Sequence, residues 1–487
     1  MPPKKNNSKR KNPPEKVQQS LKFFKVKEET SEESRLSDEG ATICLVVPKH
    51  EGSCSEWPAP SIQMEEGRKF LMETVEGKHN VLIIPDKDAD GLSSGAIALR
   101  SLVILGLPRD KIKIHFVSKG QSLHTKEERE KIEQGFPDVT RIIILDQGSR
   151  GGKEIVDPKE GKVKVLIVDH HHSKGEHPDH SQFVTAQNSY PIATSSLLTY
   201  MLVRDLHPQI PEKCDWLAVI GVYGDLSASV KWVDPWPDMT ATIKRYGKTK
   251  MTEAVSLINA PRRTSQYDPE TAWKAIVDAE SPNQLLTSTD AESLREARQQ
   301  VNAEIARWSR TPPVFNDEGT VALLRINSPC QIHPVIATRW SNSIKSKHLK
   351  MVMCSNSGYT EGSNGEKRVN FSCRIPKSIK DGDECPNLQD ILVQYSDQLE
   401  GALYMRDHLM SDRLSREESR FRSWPQRSNS EDDFEQLVQV MRIGFKVEAK
   451  PKAPVNGGNT LDKLGFFKPK EEKKEEEKKE EENLCTK

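Results

Sequence analysis

Three apolar runs in the sequence each lead into aspartate, and this repeated pattern constrains the fold more than any other feature. The runs are residues 81–84 before Asp86-Lys87-Asp88-Ala89-Asp90-Gly91, residues 141–145 before Asp146, and residues 163–168 before Asp169-His170-His171. Near-continuous Val, Ile and Leu runs are typical of strands buried on both faces of a parallel sheet. Because the carboxyl ends of parallel strands share one edge, we expect these acids and imidazoles to meet there.

The segments around these runs predict an α/β fold with two unequal domains. Helix-compatible stretches such as residues 94–105 and 125–134 separate the strands, as in a parallel sheet covered on both faces. Another apolar run, residues 216–224, ends in Asp225 and is expected at the same edge. Strand-like residues 320–324, 349–353 and 368–375, with helix-like residues 334–345, predict a smaller α/β domain. A long charged helix at residues 289–309 is the expected connector.

The length and the composition predict a folded body between polar ends. A chain of 487 residues exceeds one ordinary core, and its 35% hydrophobic and 30% charged residues are unevenly distributed. Segments with few apolar residues cannot offset the entropy of ordering and are expected to be disordered. The predicted division is 1–75 for a disordered basic tail, 76–262 for the parallel-sheet domain, 263–312 for the helical connector, 313–445 for the smaller domain, and 446–487 for a disordered charged tail.

Charge and cysteine usage limit the class of protein. The formal net charge is zero, so the whole chain offers no electrostatic case for nucleic acid. Eight single cysteines without a Cys-x-x-Cys pair predict free thiols in a reducing compartment. No apolar stretch approaches the ~18–20 residues of a membrane span. The basic cluster Lys4-Lys5 and Lys9-Arg10-Lys11 predicts a nuclear protein, with the cytoplasm as the alternative.

Carboxylates gathered at one edge with a histidine repel one another unless a cation neutralises them. Oxygen-rich ligation with one imidazole suits Mn²⁺ or Mg²⁺ better than zinc. Two such ions sharing a carboxylate could activate water for attack on phosphorus and hold the departing oxygen. The sequence therefore predicts a metal-dependent site, and phosphoester hydrolysis is the chemistry that suits it.

The order of these motifs resembles the DHH phosphoesterase superfamily. Its four motifs are similar to Asp86-Lys87-Asp88-Ala89-Asp90-Gly91, Leu145-Asp146-Gln147-Gly148, Val168-Asp169-His170-His171 and Gly221-Val222-Tyr223-Gly224-Asp225. The first is most similar to the RecJ-like single-strand nuclease branch. Residues 320–375 resemble the associated C-terminal domain of that branch through His333-Pro334-Val335-Ile336-Ala337, Arg339 and Ser372-Cys373-Arg374. The resemblance covers roughly residues 76–380.

The resemblance implies a role for each matching residue. Asp88 and Asp146 would hold one ion, and Asp146 would bridge to a second. That second ion would also be held by Asp90, His170 and Asp225. His171 and Asp146 would be the catalytic residues, with His171 facing the scissile phosphate, and Arg374 and His333 would bind substrate from the second domain.

Two departures from the family pattern affect these expectations. The family has a histidine four residues before the first metal aspartate, and here that position is Ile84. One ion therefore loses a ligand unless Asp86 or water substitutes. The Gly-Gly-His element of the associated domain is also missing near residues 401–408.

A segment near each end of the chain suggests a partner. Gln18, Leu21 and Phe24 match three positions of the peptide that binds the replication sliding clamp, and Leu464 with Phe466-Phe467 forms a second, less complete copy. A disordered segment with an aromatic anchor is suited to docking.

The leading prediction is thus an exonuclease that hydrolyses phosphodiester bonds of single-stranded nucleic acid with two Mn²⁺ or Mg²⁺ ions. One alternative is a small-substrate phosphodiesterase, polyphosphatase or pyrophosphatase with the same centre. The other is a catalytically weakened scaffold associated with replication, which Ile84 and the docking-like ends favour.

Overall fold

The computed structural model describes residues 56–445 apart from the gaps 172, 174–176, 347, 362–364, 380–385, 397 and 399–426. The predicted clamp-docking residues Gln18, Leu21 and Phe24, the basic cluster at the start and the tail 446–487 lie outside the described residues. Four described cysteines are free and buried, namely Cys214, Cys330, Cys354 and Cys373. Among the helices that the structure describes, none is long and apolar enough to cross a bilayer.

The first sheet has five strands, all parallel, in the order β2-β1-β3-β4-β5. Its strands are β1 Val81–Pro85, β2 Ile112–Ile114, β3 Arg141–Leu145, β4 Lys164–Asp169 and β5 Ser181–Thr185. The predicted parallel sheet is confirmed. The sequence did not indicate β5, because this edge strand buries only its last two residues.

Both faces of this sheet are covered, which explains the continuous apolar runs. In β1, Val81 and Ile83 pack into the larger apolar cluster, whereas Leu82 and Ile84 pack into a separate cluster that also contains Ile132. Neighbouring residues therefore point to opposite faces, and both faces are apolar.

Within the part of the chain that the structure describes, ten helices and the first sheet precede the second sheet. They are α1 Ser61–Glu76, α2 Ala89–Ile104, α3 Lys126–Gly135, α4 Ser195–Val203, α5 Gln209–Leu226, α6 Thr240–Tyr246, α7 Lys248–Ile258, α8 Pro269–Asp278, α9 Pro282–Thr287 and α10 Ala291–Trp308. Short 3-10 helices lie at Arg109–Lys111 and Pro261–Arg263. We call α1 to α9 with the first sheet the N-terminal lobe.

Helix α1 corrects the prediction that residues 1–75 form a disordered tail. Met64, Phe70 and Leu71 are buried in the core of the N-terminal lobe. Arg68 Nε donates to the carbonyl of Leu202 over 3.1 Å. Its apolar residues are separated by charged ones, so the polar composition masked a helix that one buried face holds in place.

The C-terminal lobe, as far as the structure describes it, consists of the second sheet and three helices. The sheet order is β10-β9-β8-β7-β6, with β7 and β8 parallel and the other pairs antiparallel. Its elements are β6 Val314–Phe315, β7 Val321–Ile326, α11 His333–Ser343, β8 Met351–Asn356, β9 Arg368–Arg374, α12 Leu388–Ser396, β10 Arg427–Ser430 and α13 Glu431–Val440. The predicted smaller α/β unit is confirmed.

Helix α10 joins the two lobes, as predicted from its length and charge. Leu294 packs into the core of the N-terminal lobe, while Val301 and Ile305 pack into a core of the C-terminal lobe. Helices α8 and α9 fall within the range 263–312 predicted as a connector, yet Trp273 and Leu285 belong to the N-terminal core. That core therefore extends beyond residue 262.

Candidate metal centre

The turn after β1 brings three aspartates to the carboxyl edge of the first sheet. Asp88 caps α2, because its Oδ1 accepts hydrogen bonds from the backbone N–H groups of Asp90 at 3.1 Å and Gly91 at 3.2 Å. A Cβ at Gly91 would lie 2.5 Å from the carbonyl oxygen of Asp86, so the turn requires glycine. The predicted acidic turn thus presents Asp86, Asp88 and Asp90 on one loop and the first turn of a helix.

Asp146 follows β3 in a strained and buried position. Its φ is +61°, a left-handed conformation that is uncommon for residues other than glycine. Its side chain is buried, and its Oδ1 has no hydrogen-bond partner among the described residues. Burial, together with Asp90 and Asp88, raises the pKa of Asp146 well above its usual range. Although His170 Nε2 lies 3.3 Å away, Oδ1 makes no hydrogen bond, and a buried carboxylate oxygen of this kind fits a cation ligand, since such atoms are otherwise hydrogen-bonded.

The end of β4 supplies the two histidines and a carboxylate that orients one of them. Asp169 Oδ1 accepts from the backbone N–H of His171 at 3.1 Å and lies 2.8 Å from His171 Nδ1. Its Oδ2 accepts from the Ser149 N–H at 3.2 Å. Although desolvation opposes each charged form, His171 lowers the pKa of Asp169, and Asp169 raises that of His171. Asp169 was part of the motif but was not predicted as a site residue; it positions His171.

His170 lies at the centre of the predicted ligands. Its Nε2 is 3.3 Å from Asp146 Oδ1, 4.0 Å from Asp90 Oδ2 and 3.9 Å from Asp225 Oδ2. Burial favours its neutral form, yet Asp225 and Asp90 outweigh burial and raise the pKa of His170. The structure therefore brings together residues from separate parts of the chain.

Asp225 reaches this cluster from a helix. Residues 216–223 are helical, as their sequence predicts, and they lie in α5, which begins earlier, at Gln209. A Cβ at Gly224 would lie 2.6 Å from the Cβ of Ala89, so glycine permits α5 to approach the start of α2. Close helix packing, rather than a strand end, delivers this carboxylate.

The N-terminus of α4 holds Asp90 in place. Asp90 Oδ2 accepts from the Ser195 N–H at 2.8 Å, and Oδ1 accepts from the Ser196 N–H at 3.0 Å. Burial raises the pKa of Asp90 to about 6, with Asp225 adding to the effect and His170 opposing it. The two backbone amides at this helix start are the contacts that position the ligand.

A second acidic group adjoins the first and shares Asp146. Ligand oxygens of Asp86, Asp88 and Asp146 all lie within 4.8 Å of one another, as do ligand atoms of Asp146, His170 and His171. Ile84 is fully buried in an apolar cluster and supplies no ligand. Asp86 lies two residues after Ile84, which occupies the position of the family histidine. Asp86 Oδ1 is already paired with Lys87 Nζ at 2.9 Å.

The two substrate-binding residues predicted in the C-terminal lobe lie near each other. Arg374 Nε donates to Thr338 Oγ1 at 3.1 Å. His333 is fully buried, and neither ring nitrogen has a hydrogen-bond partner among the residues that the structure describes. Burial, with Arg374 and Arg263 nearby, lowers the pKa of His333 to about 3, so this ring is neutral at pH 7. A substrate reaches His333 only if its neighbours move, and its binding role stays a prediction.

The fold and the site together define an α/β protein whose sheet edge carries an acidic centre containing histidine. The family model described as "DHH family, N-terminal domain" matches residues 80–222. A curated relative, the single-stranded-DNA-specific exonuclease RecJ of Bacillus subtilis (strain 168), is 27% identical over 168 residues. That match covers 34% of this chain and 21% of the relative. Residues 80–222 therefore match the DHH family, and the chain is similar to RecJ over about a third of its length.

Two solved structures are similar to this chain to different degrees. The DHH domain of a member of a family of ribosomal proteins has a TM-score of 0.51 and 13% identity, over 70% of this chain and 83% of that one. RecJ of Thermus thermophilus in complex with Mn²⁺ has a TM-score of 0.46 and 16% identity, over 65% of this chain and 48% of that one. At 13% identity the likeness to the DHH domain concerns the fold alone.

Proposed function

We propose that this chain is a divalent-metal-dependent phosphoesterase that degrades single-stranded nucleic acid as an exonuclease. The observation that carries the proposal is the convergence of Asp90, Asp146, His170 and Asp225 around a buried carboxylate oxygen without a donor in the described part of the chain. The match of residues 80–222 to the DHH family model supports phosphoester hydrolysis as the reaction class. The matched relative's name supports single-stranded DNA as the substrate, although this chain matches only 21% of that relative.

Asp90, Asp146, His170 and Asp225 would hold the ion, and their oxygen-rich chemistry favours Mn²⁺ or Mg²⁺ over zinc. Such an ion polarises a phosphoryl oxygen and lowers the pKa of a nearby water, so that hydrolysis can proceed at neutral pH.

His171 has the geometry to assist at the scissile phosphate. Its side chain is 57% exposed, whereas that of His170 is 14% exposed. Asp169 fixes the ring through Nδ1, which leaves Nε2 to face a substrate. A protonated His171 would donate a hydrogen bond to a phosphate oxygen and stabilise the charge that develops there.

The test is degradation of single strands labelled at either end, with Mn²⁺, by the wild-type chain and by Asp146→Ala. We expect the variant to lose at least about a hundredfold in rate, because Asp146 belongs to both acidic groups. Chelation with EDTA should abolish wild-type cleavage, and Gly135→Ala, at an open surface position, is the matched control. Undiminished cleavage by Asp146→Ala would falsify the assignment.

The two alternatives predict different outcomes in related assays. A small-substrate phosphodiesterase or polyphosphatase should act best on dinucleotides, pyrophosphate or short polyphosphate, so substrates of graded length separate it from a nuclease. A scaffold, which Ile84 favours, should bind no Mn²⁺ in calorimetric titration. Clamp docking through Gln18, Leu21 and Phe24, and a nuclear location, remain predictions that pull-down with the clamp and microscopy would test.

A further inference from the structure

The acidic group formed by Asp86, Asp88 and Asp146 is already faced by two cations of the chain itself. Lys87 Nζ lies 2.9 Å from Asp86 Oδ1, and Arg262 Nη2 lies 3.7 Å from Asp88 Oδ2. Three carboxylates against two fixed cations leave little net charge to attract a divalent ion. The group around Asp90 and Asp225 is instead paired with His170, an imidazole that is neutral when it ligates metal.

Arg262 is held firmly in this place. It lies in the 3-10 helix Pro261–Arg263, and its side chain is only 14% exposed. Its Nε donates to Asn259 Oδ1 at 3.3 Å, and the same oxygen accepts from the backbone N–H of Ala89 at 3.2 Å. The guanidinium is therefore fixed to the first turn of α2, the element that carries the metal aspartates.

Arg262 also links the centre to the C-terminal lobe. Its Nη1 donates to Gln331 Oε1 at 3.2 Å, and the hydroxyl of Tyr359 donates to its carbonyl oxygen at 3.3 Å. The position of this charge thus depends on contacts with both lobes. A planar guanidinium so placed is suited to hydrogen-bond a phosphate oxygen as well as a carboxylate.

We propose that Arg262, together with Lys87, takes the place of a second divalent ion at the centre, so that the chain binds one divalent ion rather than two. This inference rests on the proposed function. The ion is held on the side of His170, Asp90 and Asp225. The positive charge of Arg262 offsets the negative charges of Asp88 and of the substrate phosphate. It does so on the side where Ile84 replaces the family histidine.

The first test is the stoichiometry of Mn²⁺ on the wild-type chain, by calorimetry and by electron paramagnetic resonance. One ion per chain with the six-line signal of isolated Mn²⁺ is expected. Two ions with the signal of a coupled pair would overturn the inference and leave the proposed function intact. Binding of no Mn²⁺ would overturn both, so the two failures are distinguishable.

The second test compares Arg262→Gln, Arg262→Lys and the exposed control Arg245→Gln at saturating Mn²⁺. Arg262→Gln should lose at least about tenfold in kcat on single strands, while the affinity for the first ion stays within about threefold. Arg262→Lys keeps the charge and should recover part of that loss, whereas Arg245→Gln should behave as wild type. Full kcat in Arg262→Gln would contradict the role assigned to the guanidinium.

The third test is the double variant Ile84→His with Arg262→Gln, which restores the missing ligand and removes the competing charge. Gain of a second Mn²⁺ with a coupled signal is expected, with circular dichroism to establish that the variant folds. A folded double variant that still binds one ion would contradict the idea that Arg262 excludes the second.

Discussion

Asp146 combines three features that are each costly in a folded protein without a cation. Its backbone is left-handed at φ +61°, its side chain is buried, and its Oδ1 lacks a donor within the described residues. A left-handed backbone at a residue other than glycine costs on the order of 1–3 kcal/mol, and such residues cluster at functional sites. Since burial, Asp90 and Asp88 all raise its pKa, the ionised form of Asp146 needs more positive charge close by than His170, 3.3 Å away, supplies.

The pKa values at the centre predict how metal affinity depends on pH. Burial raises the pKa of Asp90 to about 6, and Asp225 with Asp90 raises that of His170. At pH 5, below the pKa of both groups, each holds a proton that an ion must displace. Metal affinity should therefore fall as pH falls. We expect calorimetry to show Mn²⁺ binding at least about tenfold weaker at pH 5 than at pH 7, with protons released on binding. Equal affinity at both pH values would contradict this account.

At the scale of elements, the contact between α4 and α5 decides where two ligands lie. Ser195 and Ser196 at the start of α4 hold the Asp90 carboxylate, and α5 carries Asp225. A Cβ at Gly221 of α5 would collide with Ser196 Oγ and lie 2.7 Å from Asp90 Oδ1. Glycine at this position therefore sets the distance between the two helices and the bound carboxylate.

Gly221→Ala should separate α5 from α4 and disturb the ligands. We expect the free energy of unfolding in urea to fall by about 1–3 kcal/mol, as for overpacked cores. Mn²⁺ affinity should fall as well, because Asp90 loses its position. Gly135→Ala is the control: its Cβ would meet no atom within 4 Å at the end of α3, and its stability should be unchanged or slightly higher. If Gly221→Ala bound Mn²⁺ as tightly as wild type, the packing argument would be wrong.

At the scale of the whole molecule, α10 and Arg262 connect the lobes in different ways. Helix α10 shares apolar residues with both cores, through Leu294 on one side and Ile305 on the other. Arg262 connects the lobes by polar contacts beside the metal centre. The apolar contacts of α10 hold the lobes together. The polar contacts of Arg262 connect the C-terminal lobe to the metal centre.

Ile305→Ala should therefore weaken the C-terminal lobe more than the metal centre. Removal of a buried isoleucine side chain costs about 2–5 kcal/mol, which urea unfolding would measure. Hydrogen exchange should increase in β7 and α11 and stay low in β1 and β3. Gln299→Ala, at an exposed position of the same helix, is the control. Equal loss of protection in both sheets would show that the lobes open as one unit.

The sequence by itself determined the parallel sheet, the smaller second α/β unit and the candidate ligands at the strand ends. Strands buried on both faces must be continuously apolar, and the acids that end them share an edge. The sequence did not predict α1 or β5, because burial on one side only leaves a mixed apolar and polar composition.

Only the tertiary structure decided how Asp225 reaches the centre, what holds Asp90 and which charge faces Asp88. These depend on contacts between residues far apart in the chain, such as Asp90 with Ser195 and Arg262 with Asp88. Local sequence sets secondary structure through periodicity, but a charge 174 positions away becomes a neighbour only when the helices pack. The aspartates at the strand ends thus predicted a metal site. Only the packing of the helices determined which positively charged side chains lie beside it.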